Sequence, residues 1–260
     1  MTDMATVSEI NQYLNTRLSK ALSCDWDNDG LMVCADSEKS VTKILFALDI
    51  TPAVTNYAKE IGAELIISHH PLIFSGIRHM DGADSTSRKV MALLQSGIAA
   101  MSFHTRLDAA EGGINDILAS LFHLSDVDKF GAEGDSCARI GTLPEALSFE
   151  DFCALVKQTL NAPTICGAKG KETVSRLAVL GGSGKDYIRA AQQMGADALL
   201  TGEVNYNYLL EAAENGLSIV TAGHYHTEAP FFTFFEKALA ERFEGLSFVC
   251  FPHGCELYYI

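Results

Sequence analysis

Five side chains placed just after apolar runs have the types needed to hold metal ions: His69, His70, Asp108, His224 and Glu228. His69-His70 follows the run Leu65 to Ile67. His104-Thr105-Arg106-Leu107-Asp108 follows Ile98 to Phe103, and His224-Tyr225-His226-Thr227-Glu228 follows Ser218 to Ala222 after one glycine. The spacing His-x-x-x-Asp is thus echoed by His-x-x-x-Glu. Imidazole and carboxylate together suit Zn, Fe, Mn, Co or Ni. Adjacent histidines in extended chain point to opposite sides, so one pair can serve two ions, or one ion and a supporting contact. Carboxylates can bridge two ions about 3.5–4 Å apart, and water between such ions becomes a nucleophile near neutral pH. Asp108 and Glu228 are the candidates for bridging, and His104 and His226 for moving protons. His79, His123 and His253 read as hydrogen-bonded structural residues, and Asp49, Asp116 and Asp186 as helix caps.

The elements that must position these groups alternate between strand and helix. Val7, Ile10, Leu14 and Leu18 recur at helical spacing, with Ser8 as a cap. A turn-rich stretch, Cys24 to Gly30, follows. Ile44 to Leu48 reads as a strand, and Thr51-Pro52 as the cap and first residue of a helix that Gly62 ends. Leu65 to Ile67 is a second strand. The later half repeats this order with Leu177 to Leu180, a helix from Lys185 to Met194, and Ala198 to Leu200. Val41 to Leu45 overlays Val174 to Ala178, and Gly62 to Ser68 overlays Gly195 to Thr201, both at an offset of 133 residues. Gly97 to Ala100 overlays Gly216 to Ile219 at 119. An extra polar loop, Arg78 to Lys89, accounts for the change. The expected fold is α/β: two similar lobes from an internal duplication, 1–128 and 129–260, open to exchange of segments, with the metal site in the cleft between them. Strand ends then deliver the functional groups. Ser148-x-x-Asp151 starts a capped helix. Ala229 to Phe243 reads as a helix whose Phe231, Phe232, Phe234 and Phe235 form either a buried face or an interface, the buried face being favoured. Ser247 to Phe251 reads as a strand, followed by an apolar tail. Gly181-Gly182-Ser183-Gly184-Lys185 resembles a phosphate loop, but Val179 stands where the earlier glycine is required and Asp186 where Ser or Thr is required. A plain tight turn is the favoured reading.

The chain has 260 residues, 48% of them apolar, and a formal net charge of −14. Such a surface repels phosphate backbones, and no Lys/Arg cluster offsets it, which argues against nucleic acid as a partner. Metal ions could still draw in a small anion. Seven cysteines without a C-x-x-C pattern point to reduced thiols, not to a disulfide framework or a zinc ribbon. No apolar signal core and no run near the roughly 18 residues of a membrane span is present, so a cytoplasmic protein is expected.

The same residues carry a family resemblance. Trp26-Asp27-Asn28-Asp29-Gly30-Leu31, Ile67-Ser68-His69-His70-Pro71-Leu72, His104 to Ala110, Gly112-Gly113-Ile114-Asn115, Thr201-Gly202-Glu203 and Gly223-His224-Tyr225-x-Thr227-Glu228 run in order over nearly the whole chain. In these the chain resembles the GTP cyclohydrolase 1 type 2 homologues, the NGG-interacting-factor-like family, in the short form without an inserted domain. The resemblance implies two similar α/β lobes, a dinuclear metal centre and a hexameric ring. Its ligands would be His69, His70, Asp108, His224 and Glu228, with His104 beside them as a supporting or substrate contact. Arg106 and Glu111 depart from the pattern, as does His226, with a change of pocket charge or an added imidazole as the expected effect. The family name implies hydrolytic opening of the guanine ring of GTP. The leading reading is a hydrolase with two divalent transition-metal ions acting on a nucleotide-like or other small anionic substrate. The alternatives are a metal-handling protein or metallochaperone without turnover, and a partner-binding regulator whose metal is structural.

Overall fold

A computed structural model of the chain describes residues 4–132 and 134–252. His253, the apolar tail and Cys255 lie outside the described residues. In chain order the elements are α1 (Val7–Arg17), β1 (Gly30–Val33), β2 (Lys43–Ala47), α2 (Pro52–Ile61), β3 (Leu65–Ser68), α3 (Ser85–Ser96), β4 (Ala99–Ser102), α4 (Thr105–Ala109), α5 (Ile114–Leu121), β5 (Ser125–Phe130) and β6 (Ala138–Ser148). They continue with α6 (Phe149–Thr159), β7 (Cys166–Ala168), β8 (Thr173–Val179), α7 (Ile188–Gln193), β9 (Ala198–Thr201), α8 (Tyr206–Glu214), β10 (Ser218–Thr221), α9 (His224–Glu228), α10 (Phe231–Arg242) and β11 (Ser247–Cys250).

The local start and stop signals act through identifiable hydrogen bonds. Thr6, not Ser8, caps α1, and it forms a reciprocal capping box with Glu9. Thr51 caps α2, with Pro52 in the first turn, and Gly62 ends that helix in the left-handed conformation. Ser148 caps α6 by accepting from the Asp151 amide at 3.1 Å.

The described chain forms two compact units. The first runs from the N-terminus to Leu107 and resumes at Phe231, and the second spans Asp108–Pro230. The first holds a five-stranded sheet in the order β1-β4-β3-β2-β11, and the second a six-stranded sheet in the order β5-β6-β8-β9-β10-β7. The segment α5-β5 follows α4 in sequence yet belongs to the second unit, and α10-β11 follows α9 yet belongs to the first.

The duplication is visible in the strand registers. Ile44 pairs with Leu65 in the first sheet and Leu177 with Ala198 in the second, each partner 133 residues on. Leu65 pairs with Ala99, and Ala198 with Ser218, which reproduces the shift to 119. The Glu64 carboxylate accepts from the Thr42 and Lys43 amides at 3.1 and 2.9 Å. Asp197 does the same for Ser175 and Arg176 at 3.0 and 2.8 Å. Most of the extra length of the first repeat lies between β3 and α3. It therefore lies within residues 69–84, and Ser85 to Lys89 is already helix.

Apolar side chains of β8 enter two separate clusters. Val174, Leu177 and Val179 pack with Phe149, Phe152 and Val156, while Ala178 packs with Ala191, Leu199 and Leu209. A sheet covered on both faces explains the nearly continuous apolar runs of the central strands. In the first sheet, Phe46 stacks on Phe235 with ring centroids 6.2 Å apart. Phe231, Phe234 and Phe235 are buried, the outcome favoured for the Phe-rich helix. Among the described residues no two cysteines are joined, and no helix is long and apolar enough to cross a membrane.

Candidate functional site

In the first unit, the parallel pairing of β3 with β4 sets Ser68 beside Ser102, and their hydroxyls lie 2.8 Å apart. The residues that follow each strand are therefore neighbours: His69 and His70 beside Phe103 and His104. One ring nitrogen from each of His69, His70 and His104 lies within 4.8 Å of the others. The chain bends at His69 and His70, where β3 has ended. The expected opposite orientation of adjacent histidines is lost for that reason, and their ring centroids lie 5.1 Å apart.

Each of these imidazoles is oriented through Nδ1. That of fully buried His69 lies 3.0 Å from the Phe103 carbonyl, that of His70 2.8 Å from Asp49 Oδ1, and that of His104 3.0 Å from Asp27 Oδ1. A carbonyl or carboxylate oxygen can only accept, so Nδ1 carries the proton and Nε2 presents its lone pair. That is the arrangement in which histidines bind metal ions. The chemistry of this donor set fits a divalent transition metal.

Asp27 is enclosed. Its carboxylate also accepts from the Thr105 amide at 3.0 Å and the Thr105 hydroxyl at 2.6 Å. Burial alone would raise its pKa, but the bonds from His104 and Thr105 outweigh it and hold the carboxyl at about 2. Asp49 is not a helix cap, since Thr51 fills that role; it orients His70. Asp116 accepts from the Gly112 amide and from Arg139, and Asp186 is exposed beside Lys185.

In the second unit, His224 opens α9 and Glu228 closes it. His224 Nε2 lies 3.2 Å from Glu228 Oε2, and its Nδ1 lies 3.3 Å from Glu203 Oε1. The room for this pair comes from glycines. A Cβ on Gly182 would run into Glu228 Oε1 and stand 3.1 Å from His224 Nε2. One on Gly202 would stand 2.8 Å from the His224 Cα. The Gly-Gly-Ser-Gly turn thus lets Glu228 approach the backbone. Asp108 is anchored to the same turn, because Asn115 donates to the Asp108 carbonyl at 3.3 Å and accepts from the Gly181 amide at 2.8 Å.

Among the described residues, His226 is in neither group of clustered ligand atoms. Burial lowers its pKa, and its ring donates to the Leu160 carbonyl. Arg106 alters no pocket. It is 1% exposed, donates to Asp29, Asn15 and the Leu18 carbonyl at 2.8–2.9 Å, and covers the Phe103 ring at 4.6 Å. His79 is exposed and lines a cavity in the loop after His70. His123 adopts a positive φ of 52° just beyond α5.

The two ligand motifs are not equivalent in the repeat. At the 119-residue offset fixed by the β3–β4 and β9–β10 registers, Thr105 corresponds to His224 and His104 to Gly223. Both one-turn helices begin at matching positions, Thr105 and His224. The sequence echo His-x-x-x-Asp and His-x-x-x-Glu is therefore out of step by one residue, about 100° around a helix. Asp27, Asp49 and Glu203, which support the histidines, carry no signal at the level of local spacing. Asp27 and Glu203 stand inside two of the motif segments, which is the only hint the chain offers.

A profile of the Duf34/NIF3 (NGG1p interacting factor 3) family matches residues 5–253. The chain belongs to this family. Its curated relatives include the GTP cyclohydrolase 1 type 2 homolog of Clostridium perfringens, 34% identical over 85% of this chain and 86% of the relative. The protein of the same name from Methanocaldococcus jannaschii is 32% identical over 85% and 88%. Among solved structures, a Staphylococcus aureus hypothetical protein superposes with a TM-score of 0.89 at 25% identity, covering 99% of this chain and 100% of that one. Reduced HcgD from Methanocaldococcus jannaschii superposes at 0.83 and 29% identity, covering 96% and 100%. The Duf34/NIF3 fold and the two-sheet α/β architecture agree with the family resemblance read from the sequence.

Proposed function

We propose that this Duf34/NIF3 protein is a metal-dependent hydrolase that holds two divalent transition-metal ions with His69, His70, Asp108, His224 and Glu228. The substrate class is a nucleotide-like or other small anionic molecule. One observation carries the reading: the imidazoles of His69, His70 and His104 cluster, each with Nδ1 held by an oxygen acceptor. The mixed histidine and carboxylate set suits Zn, Fe, Mn, Co or Ni. Divalent ions held there supply Lewis acidity toward an electrophilic carbon or phosphorus centre. Asp49 and Asp27 hold the His70 and His104 rings in one tautomer. His104, with its carboxylate partner, is the group able to hold or pass a proton at Nε2. The name of the relatives points to GTP as the first substrate to try. A hexameric ring and a cytoplasmic location belong to the same reading.

The test measures metal per chain by mass spectrometry after loading with Mn, Fe or Zn, together with formate release from GTP. The expected result is close to two ions per chain, reduced in H69A and D108A, with turnover abolished in D108A. Two ions without turnover on any nucleotide would favour a metal-handling role. No bound metal under any loading would refute both. Light scattering on the eluted peak reads the subunit number directly.

A further inference from the structure

The segment Trp26-Asp27-Asn28-Asp29 is rigidly held by every residue except the first. Asp27 binds His104 and Thr105, Asn28 donates to the Ile73 carbonyl, and Asp29 accepts from Arg106 and Ser23. Trp26, the single tryptophan of the chain, is nevertheless 61% exposed. Its ring lies 5.9 Å from that of His104 at a steep angle, and 6.0 Å from that of Phe74, which is 53% exposed. The Asn28 bond to Ile73 anchors the loop that carries Phe74. Two aromatic faces are thus presented to solvent from a braced frame beside a histidine cluster. Burying either ring would be favourable, so their joint exposure leaves aromatic surface open to a ligand.

We propose that Trp26 and Phe74 are a stacking site for a planar heteroaromatic ring carrying an anionic group, of which a purine nucleotide is the class that fits. The two rings are inclined at 48° to one another, so an incoming ring can lie against either face. The same loop and the start of α3 supply the anion contacts. Phe74, Arg78, His79, Thr86 and Lys89 line a cavity of about 600 Å³, a size suited to a small molecule. Asp84 also lines it, but its carboxylate caps α3 by accepting from the Ser87 amide at 2.7 Å. The cationic side chains stand out on a chain of net charge −14. The loop is also the part of the first repeat that the second repeat lacks, so the duplication does not explain it. The site rests on the metal-centre reading only for what the ring is presented to.

Because Trp26 is the sole tryptophan, its emission reports on the site directly. Metal-loaded full-length protein is titrated with GMP, guanosine and inorganic phosphate. Saturable quenching by GMP, weaker quenching by guanosine and none by phosphate are expected. F74A weakens GMP binding about tenfold by calorimetry, within the range found when a stacking ring is removed, while metal per chain stays the same. R78A/K89A weakens GMP but not guanosine. Emission indifferent to both GMP and guanosine, or an F74A affinity equal to wild type, overturns the proposal. So does emission that responds only to protein concentration, which marks a subunit contact. The two readings separate cleanly. Quenching by wild-type protein that takes up no metal under any loading removes the metal reading and keeps the stacking site, whereas full metal loading without quenching does the reverse.

Discussion

Replacing Gly182 by alanine tests the packing of the candidate ligand Glu228 against the backbone. Gly182 has φ +69°, and a Cβ there would displace the Glu228 carboxylate and stand 3.3 Å from its Cδ. Gly195 supplies an internal control. Its φ is +74°, yet nothing lies within 4 Å of an added Cβ. G195A therefore carries the left-handed backbone strain alone, about 1 kcal/mol. In a chain of this size that lowers Tm by about 2–4 °C. G182A carries the same strain plus overpacking of about 1–3 kcal/mol, so its Tm loss should be about two to four times that of G195A. The carboxylate must also move from His224, so metal per chain should fall in G182A and stay at the wild-type value in G195A. Calorimetry and metal analysis on the two variants read both effects. Equal Tm losses with equal metal content would refute the argument, because they would show that the turn tolerates a methyl group and that Glu228 does not depend on it.

Three further substitutions test neighbouring parts of the argument. D49A removes the acceptor that orients His70 at 2.8 Å; metal affinity should fall about tenfold, the low end for such supporting carboxylates, with little change in Tm, and an unchanged affinity would count against the orienting role. R106A leaves the buried Asp29 carboxylate with Lys20 and Ser23 as its side-chain partners among the described residues, and should cost about 3 kcal/mol in denaturant unfolding while folded protein keeps its metal. D197N tests the repeat's carboxylate bracket. Partial burial works to raise the Asp197 pKa, but bonds from the Arg176 amide, Lys171 and the Ser175 amide lower it overall. A depressed folded pKa contributes stability above the unfolded value of about 4, which is lost as pH falls through the folded one. Wild type should therefore exceed D197N in stability at neutral pH, and the two should converge in strong acid; a gap that widens in acid would contradict the assignment.

Much of the scaffold is legible in local sequence. Thr51-Pro52 and Gly62 bound α2 because cap chemistry acts within a few residues. The 133-residue offset survives in the strand registers because each repeat must bury the same apolar runs. Local signals misled where two explanations compete for one residue. Ser8 and Thr6 can both cap α1, and the reciprocal bond to Glu9 decides for Thr6. Asp49 stands near a helix start yet turns to His70, a partner 21 residues away. Arg106 looked like a change of pocket charge, but Asp29, Asn15 and Leu18 draw it into the first unit's interior.

By itself, the sequence determined the types of the donors, their placement after buried strands, and the repeat that carries them, since all three follow from composition and short-range periodicity. Tertiary structure alone decided which ring nitrogen each of His69, His70 and His104 presents, because the deciding acceptors are 34, 21 and 77 residues away in the chain. It decided that the echoed ligand motifs are one residue out of step, which only strand register can show. It also decided that α5-β5 and α10-β11 join the unit opposite to their place in the sequence order, for which edge-strand pairing gives the physical cause: β11 completes the first sheet beside β2, and β5 completes the second beside β6.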